Sequence, residues 1–385
     1  MTRLAGAFSS KARMATYDVI VIGAGIVGAA CAHALANAGQ RVLVLDARLG
    51  GATNAGMGHL VVMDDNPAER ALSQASLAQW HAWAPRMAAE APGTAFNACG
   101  TLWVAADAEE MQEAEHKRAR LQAHGIACEL LSARELAALE PVLRPGLHGA
   151  LRVGGDSMVY APNAAEWLLG RAATPIQVEK LRASRIEGRR VHCSDGSVRD
   201  GGAVLLAAGI HATQFCPELP IRPKKGHLAI TDRVSATVRH QLVELGYVKN
   251  AHQTEGTSVA FNLQPRPTGQ WLLGSSRQFD TLDPAVDNAV LARMLRRAIG
   301  YVPSLAERNA IRTWTGFRAA TPDGLPIIGR HPEREHLWLA VGHEGLGVTT
   351  APATASLIAS CMLGTAAPID PAPYAATRFV QEFPA

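Results

Sequence analysis

Val19-Ile-Val-Ile22 is a continuous apolar run that stops at Gly23-Ala-Gly-Ile-Val-Gly28, after which small helix-forming residues take over. A short apolar run closed by turn residues reads as a strand buried on both faces, and the stretch behind it as a helix. Arg41-Val-Leu-Val-Leu45 repeats the strand pattern. The next stretch, Gly50 to Gly58, is too rich in glycine for regular structure. Leu72, Leu77 and Trp80 then recur at helical spacing, which predicts a helix over about 68–90 with those side chains in the core. A polar helix follows over about 107–124, and Ser132-Ala-Arg-Glu135 is a capping box that opens another short one.

From about residue 176 the pattern shortens to strands: Ile176 to Leu181, Arg190 to Cys193, a turn at Ser194-Asp-Gly-Ser197, and the buried run Ala203-Val-Leu-Leu-Ala-Ala-Gly209. Ser258 to Leu263 and Trp271 to Gly274 read as a hairpin connected by Pro265 to Gln270. Residues near 285–299 are helical in pattern. Leu337-Trp-Leu-Ala-Val341 is again strand, and it runs through Gly342-His-Glu-Gly-Leu-Gly347 into an apolar helix from Thr349 to Leu363. No internal repeat or low-complexity tract is present.

The first glycine cluster has a mechanical meaning. In G-x-G-x-x-G after a strand, Gly23 turns the chain sharply, Gly25 lets bare backbone approach a pyrophosphate, and Gly28 allows close helix–sheet packing. The helix start then offers free N–H groups and a positive dipole end to the phosphates. Asp46, eighteen positions after Gly28, closes the second strand where a carboxylate accepts from ribose hydroxyls. Ile26 and Val27 inside the motif, and Ala47 and Arg48 behind the acid, join these as candidate cofactor contacts. Ala208 and Gly209 end another sheet strand where it can meet the same ligand. The second strand-loop-helix junction, at Gly342 to Gly347, separates the dinucleotides. NAD needs one such unit per half-domain, whereas a flavin also needs positive potential near its pyrimidine ring, where reduction places negative charge.

Composition narrows the remaining classes. At 385 residues the chain is long enough for two interleaved units. A net charge of +3 without basic runs or aromatic ladders argues against nucleic acid. Cys31, Cys99, Cys128, Cys193, Cys216 and Cys361 are scattered without a C-x-x-C pair, so zinc, an intrinsic iron–sulfur cluster and a redox dithiol are not expected, and buried thiols in a cytoplasmic protein are. Residues 1–15 carry Arg3, Lys11 and Arg13 and no acid, and read as a disordered leader without the apolar core of a secretory signal. No stretch reaches the roughly 18 apolar residues of a transmembrane helix.

Taken in order, Asp18 to Gly28 with Asp46, Val204 to Gly209, Trp314-Thr-Gly-Phe-Arg-Ala-Ala-Thr-Pro-Asp-Gly-Leu-Pro-Ile-Ile-Gly329 and Gly342-His-Glu-Gly-Leu-Gly-Val-Thr-Thr-Ala-Pro352 resemble the D-amino-acid oxidase family of FAD enzymes. The loop Asn54-Ala-Gly-Met-Gly-His-Leu-Val-Val-Met-Asp-Asp65 looks most like bacterial D-hydroxyproline dehydrogenases, whose relatives include FAD subunits of opine oxidases and hydrogen cyanide synthase. The resemblance implies an α/β fold: a Rossmann-like FAD-binding domain (16–72, 146–222 and 311–385) interleaved with an α+β substrate domain (73–145 and 223–310) built on an antiparallel sheet.

By the same resemblance Thr53, Asn54, Ala55, Gly56, Met57 and Gly58 cover the pyrophosphate and flavin, and Gly345, Leu346, Gly347 and Val348 contact flavin O2. No cysteine lies in that second loop, which implies noncovalent FAD. Arg318 falls on the family's substrate-carboxylate arginine, and its apolar neighbours Phe317, Ala319 and Ala320 leave a guanidinium in need of an anion, either a substrate carboxylate or an internal salt bridge. Phe261-Asn262 stands where some relatives supply a tyrosine hydroxyl, so Asn262 is the candidate to donate to the carboxylate or hold a ring hydroxyl. His59 is a candidate to take a proton from a substrate ammonium or contact its hydroxyl, against a loop histidine bonded to backbone. His343 is expected to support its loop, and Lys224 and Lys225 to be a solvated pair, the alternative being that one of them stabilises anionic reduced flavin.

The chemistry implied is oxidation of an amine alpha to a carboxylate, the Cα hydrogen passing to flavin N5, with cis-4-hydroxy-D-proline the leading substrate and 1-pyrroline-4-hydroxy-2-carboxylate its product. Glycine, sarcosine or other D-amino acids are the alternatives. The electron acceptor is oxygen or a carrier, and an iron–sulfur or second flavoprotein subunit is a partner in some relatives. Two other classes remain at this point: an FAD subunit that does not itself turn over substrate, and an NAD-dependent dehydrogenase.

Overall fold

The apolar runs of the sequence form the centre of the first of two large sheets. The computed structural model describes residues 17–235, 237–246 and 256–379; the expected leader, 1–15, lies outside them. Strands β1 (Tyr17–Ile22), β2 (Val42–Leu45), β8 (Gln177–Glu179), β9 (Ala183–Glu187), β10 (Arg190–Cys193), β11 (Val198–Leu206), β17 (Ile327–Arg330) and β18 (Leu337–Val341) build it. Its order is β17-β18-β11-β1-β2-β8, with the β9-β10 hairpin carried on β11. The pairs β18-β11-β1-β2-β8 are parallel, whereas β17 joins β18 and β10 joins β11 antiparallel. Parallel strands are covered on both faces. On one side helix α1 (Ile26–Asn37) packs with α8 (Gly347–Leu363), α3 (Pro67–Glu90) and α6 (Ala161–Gly170) around Leu35, Leu72, Trp80 and Leu357. On the other lie the β9-β10 hairpin and Phe379.

The second sheet contains β4 (Thr101–Ala105), β5 (Glu129–Ser132), β6 (Gly149–Val153), β12 (Arg222–Arg233), β13 (Gln241–Glu244), β14 (Thr257–Pro265), β15 (Gln270–Phe279) and β16 (Ala310–Ala320). Its order is β16-β12-β15-β14-β13-β4-β6-β5, antiparallel except where β13 meets β4. One face packs on α7 (Asn288–Tyr301) through Met294, Ala298 and Tyr301, whose ring stacks on Phe261 at 4.6 Å. α4 (Ala108–Gln122) and α5 (Ala133–Leu139) flank the far edge, and both halves of the Ser132–Glu135 capping box form. A two-strand ribbon of β3 (His59–Leu60) and β7 (Ser157–Met158) lies between the sheets.

Several expectations change. The glycine-rich stretch 50–58 contains one helical turn, α2 (Ala52–Ala55), because Gly51 and Gly56 supply extended ends around four residues that tolerate the helix. β11 begins at Val198 rather than Ala203: its polar first half pairs with β10 and lacks the apolar signature of a buried strand. β12 and β16 carry Arg222, Lys224, Lys225, Arg312 and Arg318 and show no strand pattern in sequence, yet they pair over most of their length. Gly149–Val153 and residues 311–320, expected in the FAD-binding portion, belong to strands of the second sheet. All six cysteines are free; Cys31, Cys193 and Cys216 are buried, whereas Cys361 is exposed. Among the described residues no helix is long and apolar enough to cross a membrane.

Candidate active site

Two helix starts converge at the carboxyl end of the first sheet. α1 begins behind Gly25, and no side chain caps it there; the Ile26 N–H is taken by Thr53 Oγ1 at 2.9 Å. The amides of Val27 and Gly28 lie in that same first turn, where a helix leaves its N–H groups unpaired. α8 begins behind Leu346, also without a side-chain cap, at Gly347, Val348 and Thr349. A Cβ at Gly347 would lie 3.7 Å from Val27 Cγ2, so the two positive helix ends are neighbours. At Gly28 a Cβ would meet Gly23 O at 2.0 Å, and at Gly23, with φ +105°, it would meet Ala207 O at 2.6 Å. The turn, the helix start and the end of β11 with Ala208 and Gly209 are therefore in backbone contact. Asp46 accepts from the amides of Ala24 and Arg48, both at 2.6 Å, which fixes the carboxylate. Two of its four lone-pair directions remain for hydroxyl donors. Ala47 and the exposed Arg48 follow it at the sheet's carboxyl edge.

From Thr53 the chain crosses the inner face of the second sheet. Ala55 packs on Gly316 of β16, where a Cβ would come within 2.3 Å, and its carbonyl accepts from Trp314 Nε1. Asn54 and Gly56 lie on either side of it, and Met57 reaches Gly274 and Leu228. Arg266 Nη2 donates to Met57 O at 2.8 Å. Gly58, φ +84°, lies against Val159, whose amide donates to its carbonyl. His59 then meets Gln241 and Gln264, its Nδ1 2.6 Å from Gln241 Oε1 and 2.9 Å from Gln264 Nε2. Its ring thus bonds side chains, not backbone. Thr349 Oγ1 donates to His59 O, tying this crossing to α8.

Arg318 projects from β16 over Gly226: a Cβ there would lie 2.8 Å from Nη1 and Nη2. Nη1 donates to Ser276 O at 3.1 Å. Among the described residues no carboxylate lies within ion-pair distance of it, so the internal salt bridge finds no partner. Gly345 is beside its shaft, 3.5 Å from Nε to the position a Cβ would take, which brings the second glycine loop to the guanidinium. Asn262, buried on β14 two positions from Gln264, donates to Ser275 Oγ at 3.4 Å. Sheet register places Asn262 opposite Gly274, on the face that Met57 covers.

Lys224 and Lys225 are buried, contrary to a solvated pair: Lys224 Nζ lies 2.8 Å from Glu344 Oε1, and Lys225 Nζ donates to Ala285 O. Burial alone would raise the Glu344 carboxyl, but Lys224, Arg318 and Arg277 overcome it and hold the group down at about 2. His343 bonds Thr354 Oγ1 and burial pushes it down to about 3, a loop-supporting neutral ring as expected. Burial likewise holds His59 down at about 4, so it is neutral and too weak a base to take an ammonium proton near pH 7. Glu69, in the first turn of α3, is pushed up to about 8 by burial and by Asp65 and Glu344; its Oε2 is buried without a partner. Gln241, Gln264, Glu69 and the Lys224–Glu344 pair carry no motif in sequence.

The residues present fit a dinucleotide: cradles closed to any Cβ, uncapped amides at two adjacent helix ends, and an oriented acid at the second strand. Known proteins agree. A family model described as DAO, FAD dependent oxidoreductase, matches residues 18–361. Hydrogen cyanide synthase subunit HcnC of Pseudomonas aeruginosa is 27% identical over 95% of this chain and 97% of its own. Glycine oxidase of Geobacillus kaustophilus is 27% identical over 94% and 97%. The crystal structure of a glycine oxidase from Geobacillus kaustophilus superposes with a TM-score of 0.84 at 25% identity, covering 94% of this chain and 98% of that one. L-proline dehydrogenase from P. horikoshii shares the fold, with a TM-score of 0.82 at 22% identity over 95% and 98%. The chain belongs to the DAO family of FAD-dependent oxidoreductases, and FAD is its cofactor.

Proposed function

We propose that the protein oxidises the Cα–N bond of a D-amino acid or cyclic secondary amine, with cis-4-hydroxy-D-proline as substrate and 1-pyrroline-4-hydroxy-2-carboxylate as product. The observation that carries this reading is Arg318, a half-buried guanidinium without a carboxylate partner among the described residues, facing the second glycine loop. An α-carboxylate satisfies it with two parallel charge-assisted bonds and fixes Cα. Glycine oxidases at 27% identity over most of both chains support an amino-acid substrate. The amides of Val27, Gly28, Gly347 and Val348, Asp46 and the loop from Thr53 to Gly58 would hold FAD noncovalently, and the flavin would supply the electron sink for the Cα hydrogen.

The protein's own contribution is orientation and charge. Arg318 anchors the carboxylate, Asn262 offers an amide to the bound substrate, and the Lys224–Glu344 pair keeps the loop beside Arg318 in place. His59 contacts the substrate without deprotonating it. No strong base is needed where the amine binds neutral or sheds its proton on entry.

A second reading is favoured by one observation, the relative HcnC, which is a subunit by name. In it the chain is the catalytic FAD subunit of a complex and passes electrons to an iron–sulfur or second flavoprotein partner. An anaerobic screen of D-proline, cis-4-hydroxy-D-proline, sarcosine and glycine tests both readings. Bleaching of the flavin by the isolated chain is expected, fastest with the hydroxylated compound; bleaching by none of the four would overturn the substrate assignment. Reoxidation by air or only by an added carrier then separates an oxidase from a dehydrogenase.

A further inference from the structure

Hydrogen-bond arithmetic at His59 goes beyond orientation. Gln241 is completely buried, and its Nε2 donates to Ser157 O at 2.8 Å and to Thr101 Oγ1 at 3.3 Å. That fixes the amide, because the flipped form would set two carbonyl oxygens against each other. Gln241 Oε1 therefore faces His59 and Gln264, and both must donate to it: His59 through Nδ1–H at 2.6 Å, Gln264 through Nε2 at 2.9 Å. The ring is left with its proton on Nδ1 and a lone pair on Nε2, for which no partner exists among the described residues. Gln264 Oε1 is buried and unpartnered. The cluster thus presents two spare acceptors and one spare donor, the second N–H of Gln264, which meets only the protonated Nδ1 at 2.9 Å, on the face of β14 that also carries Asn262. Unpaired acceptors, one buried on Gln264 and one on the partly buried His59 ring, call for a ligand that brings a donor.

Building on the function proposed above, we propose that His59, held in one tautomer by Gln241 and joined by Gln264, is the subsite that accepts a hydrogen bond from the substrate's ring hydroxyl and so selects hydroxylated over plain cyclic amino acids. Arg266, on the hairpin end, is the one charge that acts on the ring, and it too favours the neutral form.

The tautomer is read without turnover by two-bond proton–nitrogen correlation on holoenzyme labelled with 15N-histidine, the His59 signals being assigned by their loss in His59→Asn. Nδ1 protonated and Nε2 bare at pH 7 is expected, with the preference lost in Gln241→Met; a proton on Nε2 in the wild type overturns the inference alone. The second measurement is anaerobic flavin reduction by cis-4-hydroxy-D-proline and by D-proline. In Gln241→Met, and in Gln264→Met, which leaves the tautomer lock intact, the half-saturating concentration for the hydroxylated substrate should rise about ten- to hundredfold. That for D-proline and the limiting rates should stay within about threefold. Equal losses on both substrates would assign the cluster a structural or ammonium-binding role and overturn the hydroxyl assignment. Reduction by neither compound in the wild type would instead overturn the substrate reading on which that assignment rests.

Discussion

Arg318 is positioned by what its neighbours lack. Gly226 and Gly345 give it room, Ser276 O takes one N–H, and the nearby anion Glu344 is committed to Lys224. Removing the guanidinium should leave the cofactor's cradle intact, since none of its parts touches the amides of α1. Arg318→Ala is therefore expected to keep bound FAD and lose roughly 2 to 5 kcal/mol of transition-state stabilisation in kcat/KM; unchanged turnover would remove Arg318 from the site. Gly28→Ala is expected to do the reverse. Its Cβ would sit 2.0 Å from Gly23 O, a backbone atom that cannot swing aside, so a cost on the order of 1 to 3 kcal/mol in unfolding and loss of FAD on gel filtration should follow. Both positions were singled out in sequence, Gly28 by a motif of fixed spacing and Arg318 by the stretch that carries the family resemblance. Gln241 and Gln264 were not. Gln241 lies 182 positions from the histidine it holds, and no local pattern announces such a pairing.

At the scale of elements, β1, α1, β2 and α8 were legible because buried parallel strands and an apolar helix leave continuous signatures. β12 and β16 were hidden: Lys224 and Gly226 on one, and Arg318 and Gly316 opposite them on the other, interrupt the apolar positions of that face. α3 carries a tension of the same origin. Its Asn66 cap accepts from the Glu69 amide, while the Glu69 carboxyl sits buried among Asp65, Asp64 and Glu344. With the folded value raised to about 8 from an ordinary 4.5, the native state holds a proton that the unfolded chain has released, and stability falls as pH rises between those values. Glu69→Gln should then be neutral near pH 5 and stabilise by about 1 to 2 kcal/mol near pH 8, read by urea unfolding. A gain of equal size at both pH values would show that the carboxyl is not protonated in the native state.

The whole molecule is built on two large sheets, with the crossing from Thr53 to His59 bonded to elements of both. That interleaving explains why the sheet boundaries were the least legible feature: strands of the second sheet arrive from two separated stretches of chain, 101–153 and 222–320, with strands of the first sheet before, between and after them. It also sets the response to acid. His59 and His343 are neutral in the fold down to about 4 and about 3, so their contribution is complete above the unfolded value of 6.5 and is lost as pH falls below it. Unfolding free energy is expected to drop by about 1 to 2 kcal/mol per ring between pH 7 and pH 5, and a flat profile over that window would contradict their burial as neutral groups. The convergence of two helix ends and one arginine on a single FAD and its substrate is open to an anaerobic titration of purified holoprotein with cis-4-hydroxy-D-proline, followed at the flavin band near roughly 450 nm. Stoichiometric bleaching in the wild type, with the band present but unbleached in Arg318→Ala, is the expected result. A folded protein that takes up no FAD, or bleaching that is the same with and without Arg318, would contradict it.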